Sequence, residues 1–273
     1  MKLFSRLFLL GHMLLLLVLL FIPAHESSAF WALLDVGQGD AVFIHTQTGH
    51  NILIDTGPDA RVLSALDQVM LNTDRTIDLL FITHPHQDHL GGALYILERY
   101  QVGGIVMSDV AYNSNQYALF KRAIADRGIL LFAPQAEWDW QLDHDLYLDV
   151  LFPFSLLDQH TFKNINNSSL VMMLRAPHSQ LLLTGDMEEE LELILSLYYG
   201  DKLRASDLKV GHHGSKTSSS TLLLNQVRPQ EMFISVGANN AFHHPGPRTL
   251  TDLKQWGLVK RTDEVGTITE ILL

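Results

Sequence analysis

Six positions, His84 to His89, carry three imidazoles and a carboxylate in the order His84, His86, Asp88, His89, and that order selects a chemistry. Successive side chains of an extended chain point to opposite faces, so His84 and His86 leave a strand end on one side, as two ligands of one cation must. Asp88 and His89 come next, where the chain turns toward Gly91-Gly92, and are placed to serve a second cation a few ångströms away. Imidazole with carboxylate suits zinc, manganese or iron. The chain has no cysteine, which excludes thiolate ligation and disulfides.

A metal site needs further donors, and they stand at other strand ends. Asp55 closes the apolar run Ile52-Leu53-Ile54, where a carboxylate orients a ligating imidazole through its free N–H. Asp186 closes Leu181-Leu182-Leu183-Thr184-Gly185 and suits a bridge between two cations, although alone it also reads as a helix N-cap. His212 and His213 follow the strand ending in Lys209-Val210-Gly211; His212 is the expected ligand and His213 its supporting neighbour. His244, in His243-His244-Pro245, is a ligand, a phosphate contact or the proton donor to a leaving group. Backbone N–H groups and hydroxyls of Gly214, Ser215 and Thr217 are candidates to hold phosphate oxygens, with Lys209, Lys216 and Arg248 near the mouth.

The elements that must position these residues alternate from Phe30 onward. Trp31-Val36, Ala41-His45 and Asn51-Asp55 read as a β-meander joined by glycine-containing turns. Ala60-Leu71 has helical spacing, Ile77-Thr83 is an apolar strand, and Gly92-Tyr100 a helix. Strand and helix then recur: strand Gly104-Met107, helix Gln116-Arg127, strands Ile129-Phe132, Leu146-Phe152, Ser169-Arg175 and Gln180-Thr184, and helix Glu188-Tyr199. The last third gives strand Asp207-Gly211, helix Ser219-Val227, strand Met232-Val236, helix Thr249-Trp256, and strands Leu258-Arg261 and Thr267-Leu272. Mixed strands and helices imply sheets with helices packed outside, and no repeat of twenty to fifty residues recurs.

The 273 residues suffice for one domain with a sizeable core. A net charge of −11 argues against coating nucleic acid by charge alone. It leaves phosphodiester enzymes open, because bound divalent cations reverse the field of acidic ligands. Residues 1–29 differ from the rest. Lys2 and Arg6 precede an apolar run from Leu7 to Ile22, followed by Pro23 and Glu26-Ser27-Ser28-Ala29. The segment reads as a signal peptide or a single membrane anchor, with Phe30 and Trp31 as aromatic residues at the far interface. Either reading places the remaining domain, residues 30–273, on the exported side of the cytoplasmic membrane.

Taken together, His84-Pro85-His86-Gln87-Asp88-His89, Ile52-Leu53-Ile54-Asp55-Thr56-Gly57, Leu182-Leu183-Thr184-Gly185-Asp186, His212-His213-Gly214-Ser215 and His243-His244-Pro245 resemble the metallo-β-lactamase superfamily. Asp35-Val36-Gly37-Gln38-Gly39-Asp40 resembles the C-terminal domain of the ComEC family of competence DNA-uptake proteins. The resemblance runs from Trp31 to the C-terminus and includes Asn166-Asn167-Ser168-Ser169-Leu170-Val171 and Arg261-Thr262-Asp263. It implies an α/β (α+β) fold, the αββα sandwich of two mixed sheets, with two divalent metal ions, Zn or Mn, at one edge. By that pattern His84 and His86 fall on the first metal, Asp88, His89 and His212 on the second, and Asp186 bridges.

Where much of the superfamily has a further histidine, this chain has Asn166-Asn167-Ser168-Ser169, so a weakly held or solvent-completed first metal is expected. The channel-forming region of a full ComEC is not in the sequence, which reads as a stand-alone exported relative or a truncated product. The implied activity is metal-dependent hydrolysis of phosphodiesters, as a nuclease on DNA outside the cytoplasmic membrane, with a membrane channel component as partner. Asp88, Asp186 and His244 are the expected catalytic residues, and Asp55, Asn167, His213 and Ser215 support the ligands or the substrate. Fold and metal site do not fix the substrate. Hydrolysis of another ester, a lactone or a β-lactam is the alternative, as is a non-catalytic DNA- or channel-binding remnant.

Overall fold

The computed structural model describes residues 28–71 and 73–272. The leader or anchor expected at residues 1–29 lies outside them, apart from Ser28 and Ala29. Among the described residues no helix is long and apolar enough to cross a membrane.

Fourteen strands are described, in two sheets of seven. The first holds β1 (Phe30–Leu33), β2 (Val42–His45), β3 (Asn51–Ile54), β4 (Thr76–Ile82), β5 (Gln101–Met107) and β6 (Leu130–Phe132), in that spatial order, with β14 (Ile268–Ile271) returning beside β1. The second runs from β7 (Asp139–Asp143) through β8 (Leu146–Phe152), β9 (Val171–Arg175), β10 (Gln180–Leu183), β11 (Asp207–Lys209) and β12 (Glu231–Ile234) to β13 (Leu258–Arg261). Each sheet is half antiparallel and half parallel. The parallel runs are β3 to β6 and β10 to β13, so their carboxyl ends project loops from the sheet edges.

Period-two burial stacks the sheets. In β1, Trp31 and Leu33 enter the inter-sheet core with Phe233, Met172 and Leu148, while Ala32 faces the opposite side. In β10, Leu181 and Leu183 face the first sheet, and Leu182 packs on the outer helices. Helices α1 (Arg61–Val69), α3 (Ala93–Arg99) and α4 (Asn115–Arg127) cover the first sheet through Val62, Leu66, Ile96, Leu97 and Phe120, with the one-turn α2 (Gln87–Leu90) at its edge. Helices α5 (Glu189–Tyr199), α6 (Thr221–Val227) and α7 (Pro247–Leu253) cover the second through Leu191, Leu195, Leu223 and Leu253. The short α8 (Thr262–Val265) follows β13. Four layers, αββα, result.

Two sequence expectations change. Trp31 is no interfacial aromatic: it is 2% exposed and meets Phe233 edge-to-face at 4.7 Å between centroids, because β1 turns it toward the second sheet. Strand β7 was not foreseen. Its sequence, Asp-Trp-Gln-Leu-Asp, is that of a polar edge strand that buries Leu142 and half-buries Trp140.

Candidate metal centre

The carboxyl ends of β3, β4, β10 and β11 meet at one edge of both sheets, the crevice where parallel strands deliver their loops. Just past β4, His84 is buried, with Nδ1 3.2 Å from Thr83 Oγ1 and 3.3 Å from Ser169 Oγ. Its Nε2 is buried without a hydrogen-bond partner. The His86 ring lies 4.8 Å from that of His84. One residue on, the chain enters α2, which carries Asp88 and His89. His89 is fully buried, and its Nδ1 lies 2.7 Å from Asp55 Oδ2, while Asp55 Oδ1 accepts the Thr83 N–H at 2.8 Å. That pairing fixes the imidazole and turns Nε2 toward Asp186, whose Oδ2 is 3.2 Å away.

Asp186 reaches the crevice through Gly185, whose φ of 50° turns the chain sharply after β10. Its N–H donates to Ser169 Oγ at 3.0 Å. Asp186 Oδ2 also lies 3.5 Å from His213 Nε2, which is 3.1 Å from Asp88 Oδ2. Donor atoms of Asp88, His89, Asp186 and His213 thus all lie within 4.8 Å of one another. His89 Nε2 is close to the carboxylate but not aligned to hydrogen-bond it, and Asp186 Oδ1 is buried without a partner. Buried polar atoms are normally hydrogen-bonded, and donors converging without such bonds are what a coordinated cation satisfies. The residues fit a divalent ion. His84 and His86 form an imidazole pair beside this group and belong to no described cluster of three donors.

Electrostatics supports the same grouping. Burial depresses His89 basicity, yet Asp186 and Asp55 outweigh it and raise the imidazole well above its usual range. Burial likewise opposes a charged His213, but Asp186 and Asp40 push it up to about 10. Burial would raise Asp186, and His89 with His213 instead hold it well below the carboxylate norm. Burial, with His89 beside it, keeps His84 neutral. Protons on His89 and His213 are the ones a cation would displace.

Position reverses the expected order of the two adjacent imidazoles. His213 is buried within the cluster, while His212 is a quarter exposed, with Nε2 4.0 Å from Asp186 and Nδ1 3.1 Å from Glu188 Oε1. Both adopt left-handed φ, 47° and 53°, so the alternation of β11 no longer dictates which ring turns inward. Asn167 stands one step out: its Oδ1 accepts the Glu188 N–H at 2.9 Å, and it is Asn166 that donates to Glu188 Oε1 at 2.8 Å beside His212. Ser215 is committed inside its own loop, its hydroxyl 3.0 Å from Thr217 Oγ1 and its N–H donating to His212 O at 2.8 Å. His244 sits at the rim, 5.5 Å from the His212 ring, and burial together with His212 lowers it to about 4, so the imidazole is neutral at pH 7.

Two residues matter more than their sequence suggested. Lys209, expected near the mouth, is 2% exposed beneath the site, where Nζ ion-pairs with Asp40 and donates to Gly185 O at 3.0 Å. Asp40 ends the loop after β1, and its Oδ1 lies 3.3 Å from His213 Nδ1. The signal was present: Leu208 and Val210 face the outer helices, so Lys209 must point between the sheets, where a charge requires a partner.

Two mixed sheets between helices, with aspartates and histidines converging at a shared edge, define a metal-dependent hydrolase fold. The chain belongs to the metallo-beta-lactamase superfamily, whose family model matches residues 34–237. It is 32% identical to ComE operon protein 3 of Bacillus subtilis (strain 168) over 271 residues, covering 92% of this chain and 34% of that protein. Against Recombination protein 2 of Haemophilus influenzae the identity is 35%, over 78% of this chain and 25% of that one. Against Competence protein ComA of Neisseria gonorrhoeae it is 31%, over 89% and 32%. The chain therefore spans about a third or less of these relatives. Among solved structures, a metal-dependent hydrolase of the beta-lactamase superfamily superposes with a TM-score of 0.58 at 13% identity, over 90% of this chain and 100% of that one. A diphosphatase of the PhnP family gives 0.50 at 14%, over 89% and 99%. At such identities the likeness shows the fold.

Proposed function

We propose that the chain is a metal-dependent phosphodiesterase acting on DNA, held on the exported side of the cytoplasmic membrane by its N-terminal segment and working beside a membrane channel component. The convergence of Asp88, His89, Asp186 and His213 carries the reading, in a chain whose relatives include two proteins of competence and one of recombination. Those four residues would hold one Zn²⁺ or Mn²⁺, and His84 with His86 a second, more weakly. Such a cation, when bound, supplies Lewis acidity and a lowered pKa for water.

The chain's own residues supply the rest. Asp88 is the more exposed of the two carboxylates, its side chain 29% accessible against 1% for Asp186, so it faces the opening and, kept ionised by His213 and His89, is placed to orient the attacking water. Asp55 locks the His89 ring through Nδ1, and the Ser235 carbonyl does the same for His213 at 2.9 Å. Neutral His244 at the rim suits an N–H donated to a phosphate oxygen. The test offers the purified chain, with Zn²⁺ or Mn²⁺, a bis-nitrophenyl phosphate, single-stranded DNA, a lactone and a cephalosporin. Phosphodiester and DNA turnover that Asp186→Ala abolishes is expected; lactone or cephalosporin turnover without either overturns the reading.

A further inference from the structure

A second charged feature lies at the other edge of the second sheet. A cavity of about 620 Å³ is lined by Arg175, Lys202, Arg204 and Arg228, with His178 and a single carboxylate, Asp201. It gathers four of the chain's 19 lysines and arginines in a protein of net charge −11. Arg175 is paired with Asp149, and Arg228 reaches Asp201 at 3.5 Å, but Lys202 and Arg204 are exposed and form no ion pair among the described residues. The cavity sits where β9 turns into β10 and before β11 and β12 begin. Asp186 follows six residues after Gln180, so the metal centre is about 20 Å away along the strand.

What adjoins the cavity indicates its occupant. A neighbouring cavity of about 310 Å³ shares Ala176 and Pro177 with it and is lined by Ser28 and Ala29, where the described chain emerges from the N-terminal segment. Five residues lie between Ile22, the end of the apolar run, and Ser28, and the six Cα steps from one to the other reach at most about 20 Å. A chain anchored by that run has this edge against the headgroup layer, and unpaired cations there meet the negative potential of anionic lipids. A strand of nucleic acid seated here would instead lie at the edge opposite the catalytic donors. We infer that this cavity docks the phosphate-bearing headgroups of an anionic lipid surface, holding the metal centre turned away from the membrane. The inference rests on the membrane-anchored part of the proposed function.

The test uses the full chain in nanodiscs of phosphatidylcholine, alone or with one third phosphatidylglycerol, and follows acylation of individual lysines by mass spectrometry. Lys202 should react about fivefold more slowly on the anionic discs, the effect expected of one cation at such a surface. High salt or Arg204→Glu should restore its rate, and Lys216, at the metal rim, should react alike on both discs. Equal Lys202 rates on the two discs overturn the inference, as does equal slowing of Lys216. So does protection by inorganic phosphate or a single-stranded oligonucleotide on zwitterionic discs when phosphatidylglycerol gives none. Retention on purely zwitterionic discs reports the anchor separately. A chain retained there with Lys202 unprotected sinks the docking cavity alone; one free of those discs but captured by anionic discs with Lys202 protected keeps the cavity and sinks the anchor.

Discussion

Asp186 Oδ2 lies 3.5 Å from His213 Nε2 and 4.0 Å from His212 Nε2, and this difference in reach assigns distinct roles to neighbouring imidazoles. Titration with Zn²⁺ should show His212→Ala losing no more than the about 10–100-fold typical of a residue that supports a ligand, and His213→Ala losing more than that. Equal losses would put His212 among the ligands. The same residues set a pH dependence for protein stripped of metal by a chelator. An imidazole ordinarily near 6.5 is raised to about 10 in folded His213, so its stabilisation is complete below about pH 6.5 and disappears as the pH climbs through 10. Asp186, held below the carboxylate norm, has the opposite sign: its stabilisation is present above about pH 4 and lost in acid. Thermal unfolding of the stripped protein should therefore show Tm falling between pH 7 and 10, and His213→Gln should flatten that fall. A Tm level across this range in the stripped wild type contradicts the pairing. Asp55, Asp88, His89 and Asp186 were legible from sequence because each ends an apolar strand or opens a helix. The His212–His213 choice was not, because two successive left-handed residues break the alternation that would have decided it.

At the scale of elements, the loop after β1 holds the first turn of α2 in place. The Asp40 N–H donates to Asp88 O at 3.1 Å, and Ser235 Oγ donates to Gly39 O at 2.6 Å, so the glycine sits between the histidine segment and the end of β12. Gly39 has a φ of 145°, and a Cβ there would meet Asp88 O at 2.2 Å. Gly39→Ala should therefore shift Asp88, lower stability by about 1–3 kcal/mol and weaken metal binding together. Urea unfolding and metal titration on one sample check it; full metal affinity in the variant would show that Asp88 needs no such clamp. Asp35-Val36-Gly37-Gln38-Gly39-Asp40 was legible as a family signature, whereas its mechanical role was not, since contact with Asp88 spans half a hundred residues and contact with Ser235 crosses from the first sheet to the second. Most strands and helices could be read from periodicity because apolar side chains repeat at two or three to four residues. Polar β7 could not, because an edge strand buries little.

Across the whole molecule, donors from the first sheet, Asp88 and His89, meet donors from the second, Asp186 and His213. A cation held by both sheets binds the folded chain and not the unfolded one, so saturating Zn²⁺ at about 100 times its Kd should add about 2.7 kcal/mol of stability. Asp186→Ala should remove that increment as well as activity. Sheets with helices packed outside were legible in the alternation of strand and helix, and the four-layer sandwich through the family resemblance; the inter-sheet position of Trp31 was not legible, because its neighbours across the gap lie some two hundred residues away. The most direct measurement is anomalous diffraction at the zinc edge from crystals of the Zn²⁺-loaded protein. The account predicts a peak about 2.0–2.2 Å from donor atoms of Asp88, His89, Asp186 and His213. A strongest peak elsewhere, or four side chains that leave the crevice without metal, would contradict it.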